Sequence, residues 1–369
     1  MKLRSLKLDF FKNYTSTKLQ FQENLVAFCG PNGAGKTNLL DAIHYLCLGK
    51  SYYNLQDKQN IQYKAPFFTI QGGFADGEDE LTVRCIQEQP KKKVLKKNDV
   101  AYQRISEHVG LLPVVMICPN DHGLIYEGSE TRRRFLDNCI CQTDSNYLQT
   151  LMQYNRILNQ RNEYLKKLEG KWPTQPDMLN TYDEQLIHLG EQITTERKAF
   201  LAKFQPIFLE KFHLISPAKE AVELTYEYQA AAIAPGDYFH QNRAKEIALG
   251  RTTFGPHKDD LKFLIQEYPI KKHGSQGQQK TFLTALKLAQ LEIYQSLLHK
   301  KVILMLDDLF DRLDQQRVER LFQLIEKNPP EQLFVTHTST EQVEAVLQKC
   351  QLNYQQFYIK NGEIQDAHT

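Results

Sequence analysis

The chain has 369 residues, about two and a half times a typical domain of ~150 residues, which predicts two domains or one domain with a large insertion. Charged residues make up 24% and hydrophobic residues 41%, and both values argue against a disordered, fibrous or membrane-embedded chain. There are 46 lysines and arginines against 44 aspartates and glutamates, a net charge of +2, which excludes a histone-like polycation but not a local basic surface.

The seven cysteines are scattered and form no CxxC pair, so they indicate neither a disulfide framework nor a zinc site. The N-terminus reaches Asp9 without the apolar run of about 7 to 15 residues that a secretion signal requires. No stretch approaches the ~18 apolar residues that would span a bilayer. We therefore expect a cytoplasmic protein that has no membrane partner.

The N-terminal third predicts strands, one helix and then more strands. Residues 3–10 and 25–29 are short apolar-rich runs typical of β-strands, with a turn-like segment between them. From Lys36, apolar side chains recur every three or four positions until Gly49 offers a stop, which predicts a helix. Residues 66–117 have a mostly β pattern and end in an apolar run typical of a buried strand.

From Ser129 the sequence predicts about eighty residues of helix with heptad-like apolar spacing. The first a/d seam has Arg161 as its one polar member, and its apolar members are Leu151, Tyr154, Leu158, Leu165 and Leu168. The second seam follows a break containing Gly170, Pro173 and Pro176, and Glu196 interrupts it. Its apolar members are Leu179, Tyr182, Leu186, Leu189, Ile193 and Phe200. We expect an antiparallel hairpin whose first helix is on the order of 35 Å long.

The C-terminal part returns to a mixed α/β pattern. Residues 222–229 and 261–265 predict strands, and a long amphipathic helix follows, with Phe282, Leu286, Ala289, Ile293 and Leu297 on one face. The run at 302–308 is continuously apolar before two aspartates, which indicates a strand buried on both faces. Further along, the pattern predicts a helix at 315–327, a strand at 332–337, another helix and a closing hairpin around 360–362.

The segment GPNGAGKT matches the phosphate-loop pattern G-x-x-x-x-G-K-[ST] in full and lies between a predicted strand and a predicted helix. Glycines in such a loop allow backbone N–H groups to face phosphate oxygens, and the following helix N-terminus adds its dipole. Lys36 is expected to reach the β- and γ-phosphates and to act in catalysis, and Thr37 is expected to bind Mg²⁺. The expected nucleotide-binding residues here are Gly30, Pro31, Asn32, Gly33, Ala34, Gly35, Lys36, Thr37 and Asn38.

Two carboxylates end the buried strand VILMLDD. Asp307 is expected to hold the magnesium ion through water from the strand end. Asp308 follows directly and is expected to point to the γ-phosphate side, where it would orient and polarise the attacking water as a general base. The alternative for Asp308 is a residue that only ends the strand.

A second anion-binding element is predicted at SQGQQK, directly before the long amphipathic helix. Ser275, Gly277 and Gln278 are its expected contact residues, and an ordinary serine N-cap is the alternative. If the two anion sites do not meet within one chain, a two-fold dimer would let each Ser275 element close on the nucleotide of the other chain.

Two short motifs complete the series of expected nucleotide-site motifs along the chain. DRLD at 311–314 lies just past the two aspartates, and Thr336-His337 ends the next predicted strand. His337 is expected to contact the γ-phosphate and to sense its loss, whereas the alternative is a structural histidine at a strand end.

With these motifs the sequence resembles the ABC-type ATPase heads of SMC-like DNA-maintenance proteins, and most closely the RecF family of bacterial recombination mediators. The likeness covers nearly the whole chain and includes the segments LDFFKNYTSTKLQF, CPNDHGLIYEGSETRRRFLD and FGPHKDDL. It implies an α/β fold, an ABC/SMC-type P-loop ATPase head with an inserted helical lobe that forms a short antiparallel coiled coil. The predicted domains are the first part of the head at 1–128, the arm lobe at 129–215 and the second part of the head at 216–369.

The resemblance also implies an activity and partners. It implies a slow Mg²⁺-dependent ATPase with ATP and Mg²⁺ as cofactors, which forms a homodimer with ATP. The implied DNA partners are single-stranded gaps, single-strand/double-strand junctions and duplex, and RecR-like and RecA-like proteins are the implied protein partners. The implied processes are DNA repair, replication restart and SOS induction.

Some residues depart from the pattern of related ATPases. Asp308 stands where SMC heads have glutamate, Gln276 fills a usual glycine position of the transporter signature, and Arg312 lies inside the D-loop. Slow hydrolysis is the expected consequence. The slot for a Q-loop glutamine, near Cys118 to Asp121, contains no glutamine.

DNA contacts are predicted at two basic clusters that can neutralise phosphates without reading sequence. The first comprises Lys91, Lys92, Lys93, Lys96 and Lys97, and the second comprises Arg132, Arg133 and Arg134. Either run of charge has the alternative of being a solvated face.

Three other functions stay open on the sequence: the ATPase of another SMC-like DNA-maintenance system, the ATPase subunit of a transporter, and a non-hydrolysing scaffold that uses bound ATP as glue. The 239 positions from Lys36 to Ser275 (275 minus 36) contain a coiled-coil stub and favour a DNA-maintenance head over a compact transporter subunit. No NKxD element is present, so a GTPase is not indicated.

Overall fold

The computed structural model describes residues 1–54, 56–172, 176–216, 220–308, 315–349 and 353–368. The chain divides into two compact units. We call the first the head unit, which comprises Met1–Asp121, Leu214–Pro217 and Lys280–Thr369. We call the second the arm unit, which comprises His122–His213 and Ala218–Gln279. No helix of the described residues has the length and apolar character to cross a membrane.

A largely parallel six-stranded sheet forms the centre of the head unit, with the strand order β15-β14-β3-β13-β12-β8. Its strands are β3 (Leu25–Cys29), β8 (Val114–Ile117), β12 (Ile303–Leu306), β13 (Gln332–His337), β14 (Gln355–Lys360) and β15 (Glu363–His368). Every residue of β3, β8, β12 and β13 is buried, as the continuous apolar runs predict for a strand covered on both faces. Because β3, β12 and β13 are parallel, their carboxyl ends meet at one edge of the sheet.

The second sheet of the head unit is antiparallel and has the order β2-β1-β4-β5-β6-β7. Its strands are β1 (Lys2–Phe11), β2 (Tyr14–Gln20), β4 (Phe67–Asp76), β5 (Asp79–Glu88), β6 (Val94–Lys97) and β7 (Val100–Ala101). Alternate residues of β4 and β5 are buried, which is the pattern of a sheet with one covered face. Helix α1 (Lys36–Leu48) shares one hydrophobic core with both sheets and ends at Gly49 in the left-handed conformation.

The remaining described helices of the head unit follow the predicted pattern. They are α8 (Gln276–Leu298), in which the division between the units falls, α9 (Gln315–Lys327) and α10 (Thr340–Lys349). The closing hairpin of β14 and β15 turns at Asn361 and Gly362, whose φ angles of 52° and 78° are typical of a type I′ turn. The predicted D-loop at 311–314, with Arg312, lies outside the described residues.

The arm unit contains the predicted helical hairpin. Its helices are α2 (Gly123–Tyr126), α3 (Ser129–Thr143), α4 (Ser145–Lys167), most of α5 (Pro176–Ile215), α6 (Pro235–Leu249) and α7 (Ile270–His273). Leu165 of α4 and Leu179 of α5 share a small core, and four residues further from the connection Arg161 binds Asp183. These pairings confirm that α4 and α5 run antiparallel. At 23 residues, α4 has the length of about 35 Å expected for the first helix, and α5, with 40 residues, is longer at about 60 Å by helix rise.

The seam of α5 differs from the prediction in its polar position. Glu196 is exposed, whereas the neighbouring Arg197 is 2% exposed and donates two hydrogen bonds to Asp137, at 2.9 and 3.0 Å. The prediction that Glu196 interrupts the seam is therefore wrong, and Arg197 is the polar residue on the buried face. In α4, Arg161 is fully buried as the seam position requires.

The two units also divide the chain differently from the predicted bounds of 129–215 and 216–369. A three-stranded sheet of β9 (Val222–Glu227), β10 (Asp260–Ile265) and β11 (Tyr268–Pro269) belongs to the arm unit, together with α6. Arg132 of α3 binds Asp260 at the start of β10 through two hydrogen bonds, at 2.8 and 3.0 Å, which ties this sheet to the helices. Cys350 lies outside the described residues, and the other six cysteines are buried thiols.

Candidate nucleotide-binding site

The loop between β3 and α1 adopts a backbone that requires glycine at its ends. Gly30 has a φ of 144° and Gly35 a φ of 118°, both in the region that side chains disfavour. A Cβ on Gly30 would overlap the carbonyl of Ile359, and a Cβ on Gly35 would lie 2.5 Å from the Asn13 side chain. The glycines of the motif thus allow two close approaches of neighbouring groups to the loop.

Residues outside the motif fix this loop from the side of the β1–β2 turn. The Asn13 amide donates to the Ala34 carbonyl at 3.0 Å, and the Tyr14 hydroxyl donates to the Gly35 carbonyl at 3.0 Å. Asn38, at the start of α1, donates to the Asn13 side chain at 2.7 Å. Sequence reasoning did not single out Asn13 or Tyr14, because they are 21 residues from their partners and belong to no nucleotide-binding motif.

Lys36 is held over the loop. Its ammonium group donates to the carbonyls of Gly30 at 2.8 Å and Pro31 at 3.0 Å, and the residue is only 5% exposed. A buried ammonium at a helix N-terminus makes the loop strongly electropositive. The arrangement suits a polyphosphate group.

Asp307 lies at the carboxyl end of β12, where three hydroxyl groups donate to its carboxylate. Thr37 donates at 3.0 Å, Thr336 at 2.7 Å and Tyr53 at 2.6 Å. Burial, and after it the neighbouring Cys118 and Asp307, raises the pKa of Tyr53 far above its usual value, so this hydroxyl stays a donor. Tyr53 is a site residue that the sequence motifs do not reveal.

The oxygen atoms of Thr37 and Asp307 fit a magnesium ion. Their separations of 3.0 and 3.1 Å match the distance of about 2.9 Å between adjacent ligands of an octahedral Mg²⁺ with bonds of ~2.0–2.1 Å. Within the described part of the chain, no group of three His, Cys, Asp or Glu side chains could hold a metal ion by itself. One carboxylate and one hydroxyl, completed by phosphate oxygens and water, are typical of Mg²⁺ bound together with a nucleotide.

Asp308 has an unusual backbone. Its φ is 47°, a left-handed value that is uncommon for residues other than glycine, and its N–H donates to the Thr336 hydroxyl at 3.0 Å. Strain of this kind is often found at functional sites, where the surrounding structure enforces it. The turn places Asp308 directly beyond Asp307, and its side chain is half-buried.

His337 is the last residue of β13 and is tied to the loop. Its carbonyl accepts a hydrogen bond from Gly30 N at 3.2 Å, and its Nδ1 accepts one from Ser339 N at 2.8 Å. Because Nδ1 is the acceptor, the neutral ring carries its proton on Nε2. The structure thus brings His337 to the same sheet edge as the phosphate loop and the two aspartates.

The slot without a glutamine contains a buried polar cluster. Asp121 follows β8, accepts a hydrogen bond from Tyr52 at 2.6 Å and forms an ion pair of 2.8 Å with Lys287 of α8. Lys287 also donates to the Tyr52 hydroxyl at 3.1 Å. Since Tyr52 precedes Tyr53, this cluster connects the surroundings of Asp307 to the helix that begins at the SQGQQK motif.

The SQGQQK residues form the N-terminus of α8 and belong to the arm unit up to Gln279. Ser275 and Gln278 make a reciprocal capping box, because Gln278 N donates to Ser275 Oγ at 3.2 Å and Ser275 N donates to Gln278 Oε1 at 2.6 Å. Gln278 also donates to Glu220 at 2.6 Å. The side chains of Ser275 and Gln278 therefore stabilise the helix start, and Gly277 lies within its first turn.

The basic clusters are only partly available for an anion. Lys91 pairs with Glu88 at 2.9 Å and Lys93 with Asp57 at 2.8 Å. Arg132 is bound by Asp260, and Arg134 lies 3.5 Å from Glu130. Arg133 donates hydrogen bonds to Ser129 Oγ at 2.7 Å and to the Asp259 carbonyl at 2.6 Å.

Three comparisons place the chain among known proteins. The family model described as RecF/RecN/SMC N terminal domain matches residues 2–361. DNA replication and repair protein RecF of Flavobacterium johnsoniae is 42% identical over 97% of this chain and 99% of its own length. A solved structure of the recombination mediator protein RecF with ATP in the RecFOR pathway matches with a TM-score of 0.89 and 29% identity, covering 100% of this chain and 97% of the other.

The fold extends to SMC proteins. An Smc head bound to the C-terminal winged-helix domain of ScpA matches with a TM-score of 0.57 at 16% identity, covering 100% of this chain and 98% of that one, a likeness of fold alone. The predicted fold class, an ABC/SMC-type ATPase head with a helical lobe, is confirmed.

Proposed function

This chain belongs to the RecF family of recombination mediators, and we propose that it is a Mg²⁺-dependent ATPase in the cytoplasm that uses ATP to control DNA binding. In this proposal ATP joins two copies, and each Ser275 element closes on the nucleotide held by the other chain. The dimer binds gapped DNA, single-strand/double-strand junctions or duplex. With a RecR-like partner it promotes the loading of a RecA-like recombinase in DNA repair, replication restart and SOS induction.

The observation that carries the proposal is the meeting of three motifs at one sheet edge. The hydroxyl of Thr37 lies 3.0 Å from the carboxylate of Asp307 although 270 residues separate them in the chain. The same edge receives His337, whose carbonyl is bonded to the first glycine of the loop. A phosphate loop, a metal carboxylate and a histidine in this arrangement suit a nucleoside triphosphate with its magnesium ion.

Each residue has a defined part in hydrolysis. Lys36 and the loop N–H groups neutralise the charge that builds up on the β- and γ-phosphates. Thr37 and Asp307 would hold Mg²⁺, which supplies further charge neutralisation between those phosphates. Asp308 orients the attacking water and accepts its proton, and the Nε2–H of His337 donates to a γ-phosphate oxygen.

The same geometry supports the proposal of slow turnover. Asp308 is one methylene shorter than the glutamate of SMC heads, and its left-handed backbone leaves little freedom to compensate for the missing length. Misplacing a general base by about 1 Å costs roughly 100-fold in rate. ATP binding can therefore outlast many encounters with DNA, which suits a switch.

The decisive experiment is sedimentation of the wild type and Asp308→Asn with ATP, with ADP or without nucleotide, each on single-stranded, duplex and gapped DNA. We expect dimers on DNA with ATP, dissociation of the wild type as ATP is consumed, and persistent dimers of Asp308→Asn. Monomers under every condition would refute the ATP-controlled dimer. Equal ATP turnover by both proteins, with no DNA binding by the wild type, would indicate a scaffold.

A further inference from the structure

The segment FGPHKDDL has no part in the nucleotide site, yet it is fixed in place within the arm unit. Gly255 has a φ of 123°, and a Cβ there would lie 2.5 Å from the Tyr154 hydroxyl of α4. Pro256 packs on Gly190 of α5, where a Cβ would lie 3.2 Å from the proline ring. His257 Nδ1 is 2.7 Å from the Tyr154 hydroxyl. The loop is thus held against both helices of the hairpin.

The two aspartates of the segment are also occupied by the scaffold. Asp259 accepts hydrogen bonds from the Tyr226 hydroxyl at 2.5 Å and from Gln229 N at 3.3 Å. Asp260 is bound by Arg132 through two hydrogen bonds. Neither carboxylate is therefore placed to neutralise the lysine that lies between His257 and Asp259 in the chain.

That lysine, Lys258, lies at a polar pocket of 460 Å³ between α3, α4 and α5. The charged residues lining the pocket are Glu130, Arg133, Arg134, Asp137, Arg197, His257 and Lys258. Asp137 is engaged by Arg197, so the remaining basic groups exceed the acidic ones. Within the described ranges, no carboxylate lies within 4.0 Å of the Lys258 ammonium or of the Arg133 guanidinium.

Burial and neighbouring cations both disfavour the charged forms of these two groups. Burial, and after it Arg251 and Arg133, lowers the pKa of Lys258. Burial, and after it Arg197, lowers the pKa of Arg133. Glu246 opposes this effect at Lys258, and Asp260, Asp137 and Glu130 oppose it at Arg133, and a bound anion would relieve the repulsion further.

We propose that this pocket binds a phosphate group of the DNA backbone, with Lys258 and Arg133 as the charged contacts. A guanidinium and an ammonium group that line the same pocket are suited to a phosphodiester, and contacts of this kind carry no sequence preference. The inference rests on the proposed function, since it takes DNA binding as given and assigns a place to it. It also selects Arg133 from the predicted cluster of three arginines, because Arg132 is used by Asp260.

The test compares Lys258→Gln with Lys262→Gln in the full chain. Lys262 is a suitable control because it is a lysine of the same unit that already pairs with Glu227 at 3.3 Å and Asp260 at 3.5 Å. DNA affinity is measured with ATP between about 50 and 200 mM salt. Loss of one phosphate contact reduces the slope of log affinity against log salt by about 0.9 on duplex or about 0.7 on single strands. We expect the reduced slope for Lys258→Gln. Lys258→Arg, which keeps the positive charge, and Lys262→Gln should both have the wild-type slope.

The possible results distinguish a failure of the phosphate-pocket proposal from a failure of the proposed function. If the wild type binds DNA and Lys258→Gln keeps the wild-type slope, the pocket is overturned while the proposed function stands. If the wild type binds no DNA, the proposed function fails first. Inorganic phosphate is titrated in parallel by calorimetry. If phosphate binding requires Lys258 while the salt dependence of DNA affinity is unchanged in Lys258→Gln, the pocket is a site for free phosphate and the assignment to DNA is overturned. Equal melting temperatures of the variants exclude a folding defect as the cause.

Discussion

Tyr53→Phe should weaken magnesium binding because it removes one of the hydroxyl groups that orient Asp307. In the structure the carboxylate accepts hydrogen bonds from Thr37, Thr336 and Tyr53, the last at 2.6 Å. A bound Mg²⁺ would draw Thr37 into its coordination, so Tyr53 and Thr336 would be the two hydroxyls left to fix the carboxylate. Loss of such a supporting hydrogen bond typically weakens metal affinity by about 10- to 100-fold. That corresponds to about 1.4–2.7 kcal/mol, within the range of a hydrogen bond to a charged group.

The assay is a Mg²⁺ titration of ATP binding, followed with a fluorescent ATP analogue. Tyr52→Phe is the matched control, since its ring lies 5.4 Å from that of Tyr53 but its hydroxyl donates to Asp121 instead of Asp307. We expect the Mg²⁺ midpoint to rise at least tenfold for Tyr53→Phe and to change little for Tyr52→Phe, with nucleotide binding in EDTA unchanged in both. Equal midpoints for the two variants would refute the argument that Tyr53 positions the metal carboxylate.

Three further predictions concern buried charged or titratable side chains within the two units. Arg161→Met leaves Asp183 and Glu246 buried without this cation. Breaking such a pair should lower the unfolding free energy of the arm unit by about 3–5 kcal/mol, as measured by hydrogen exchange. Burial lowers the pKa of His257 to about 4 from an ordinary value of 6.5. Between these two values the unfolded chain binds a proton at this side chain and the folded protein does not, so protonation favours unfolding. Stability should fall as the pH drops from 6.5 towards 4, and His257→Gln should flatten the dependence of melting temperature on pH between about 5 and 6.5. Asp121→Asn removes a 5% exposed carboxylate from its ion pair and should destabilise the head unit by roughly 3 kcal/mol in denaturant titrations, and a loss below 1 kcal/mol would contradict this.

The parts of the site that sequence could predict are those carried by one local segment. The phosphate loop needs glycine, lysine and threonine at fixed spacing, so Gly30 to Thr37 are recognisable without a structure. Asp307 is recognisable because a continuous apolar run indicates a buried strand and the first charged residue marks its end. Asn13, Tyr14 and Tyr53 act on these residues from other segments, and only the fold brings them together.

The buried face of α5 could be predicted only in part, for a different reason. A heptad repeat has a period of 3.5 residues, whereas a straight helix has 3.6 residues per turn, and the contact stripe drifts by about 20° per heptad. Over the 40 residues of α5 this drift moves the buried face off the heptad frame. The frame extended from Leu179 therefore reaches Glu196, whereas the structure buries Arg197.

The compact arm unit includes strands β9 and β10, which lie within the predicted second part of the head at 216–369. Strands β9 and β10 have the alternating pattern of any half-buried strand, and their sequence does not say which sheet they join. Their pairing with each other and the Arg132–Asp260 ion pair assign them to the arm unit. The arm is therefore a helical hairpin with its own small sheet, and the segment FGPHKDDL belongs to it.

Thr336 explains why the motifs at the ends of β12 and β13 act as one group. Its hydroxyl donates to the Asp307 carboxylate at 2.7 Å and accepts a hydrogen bond from Asp308 N at 3.0 Å. A hydroxyl can do both at once, which neither valine nor alanine could. One side chain thus contacts both the Asp307 carboxylate, which Thr37 and Tyr53 also bind, and the backbone of Asp308, and the next residue along that strand is His337. In the proposed function, a movement of Asp308 on loss of the γ-phosphate would reach the Asp307 carboxylate through this hydroxyl.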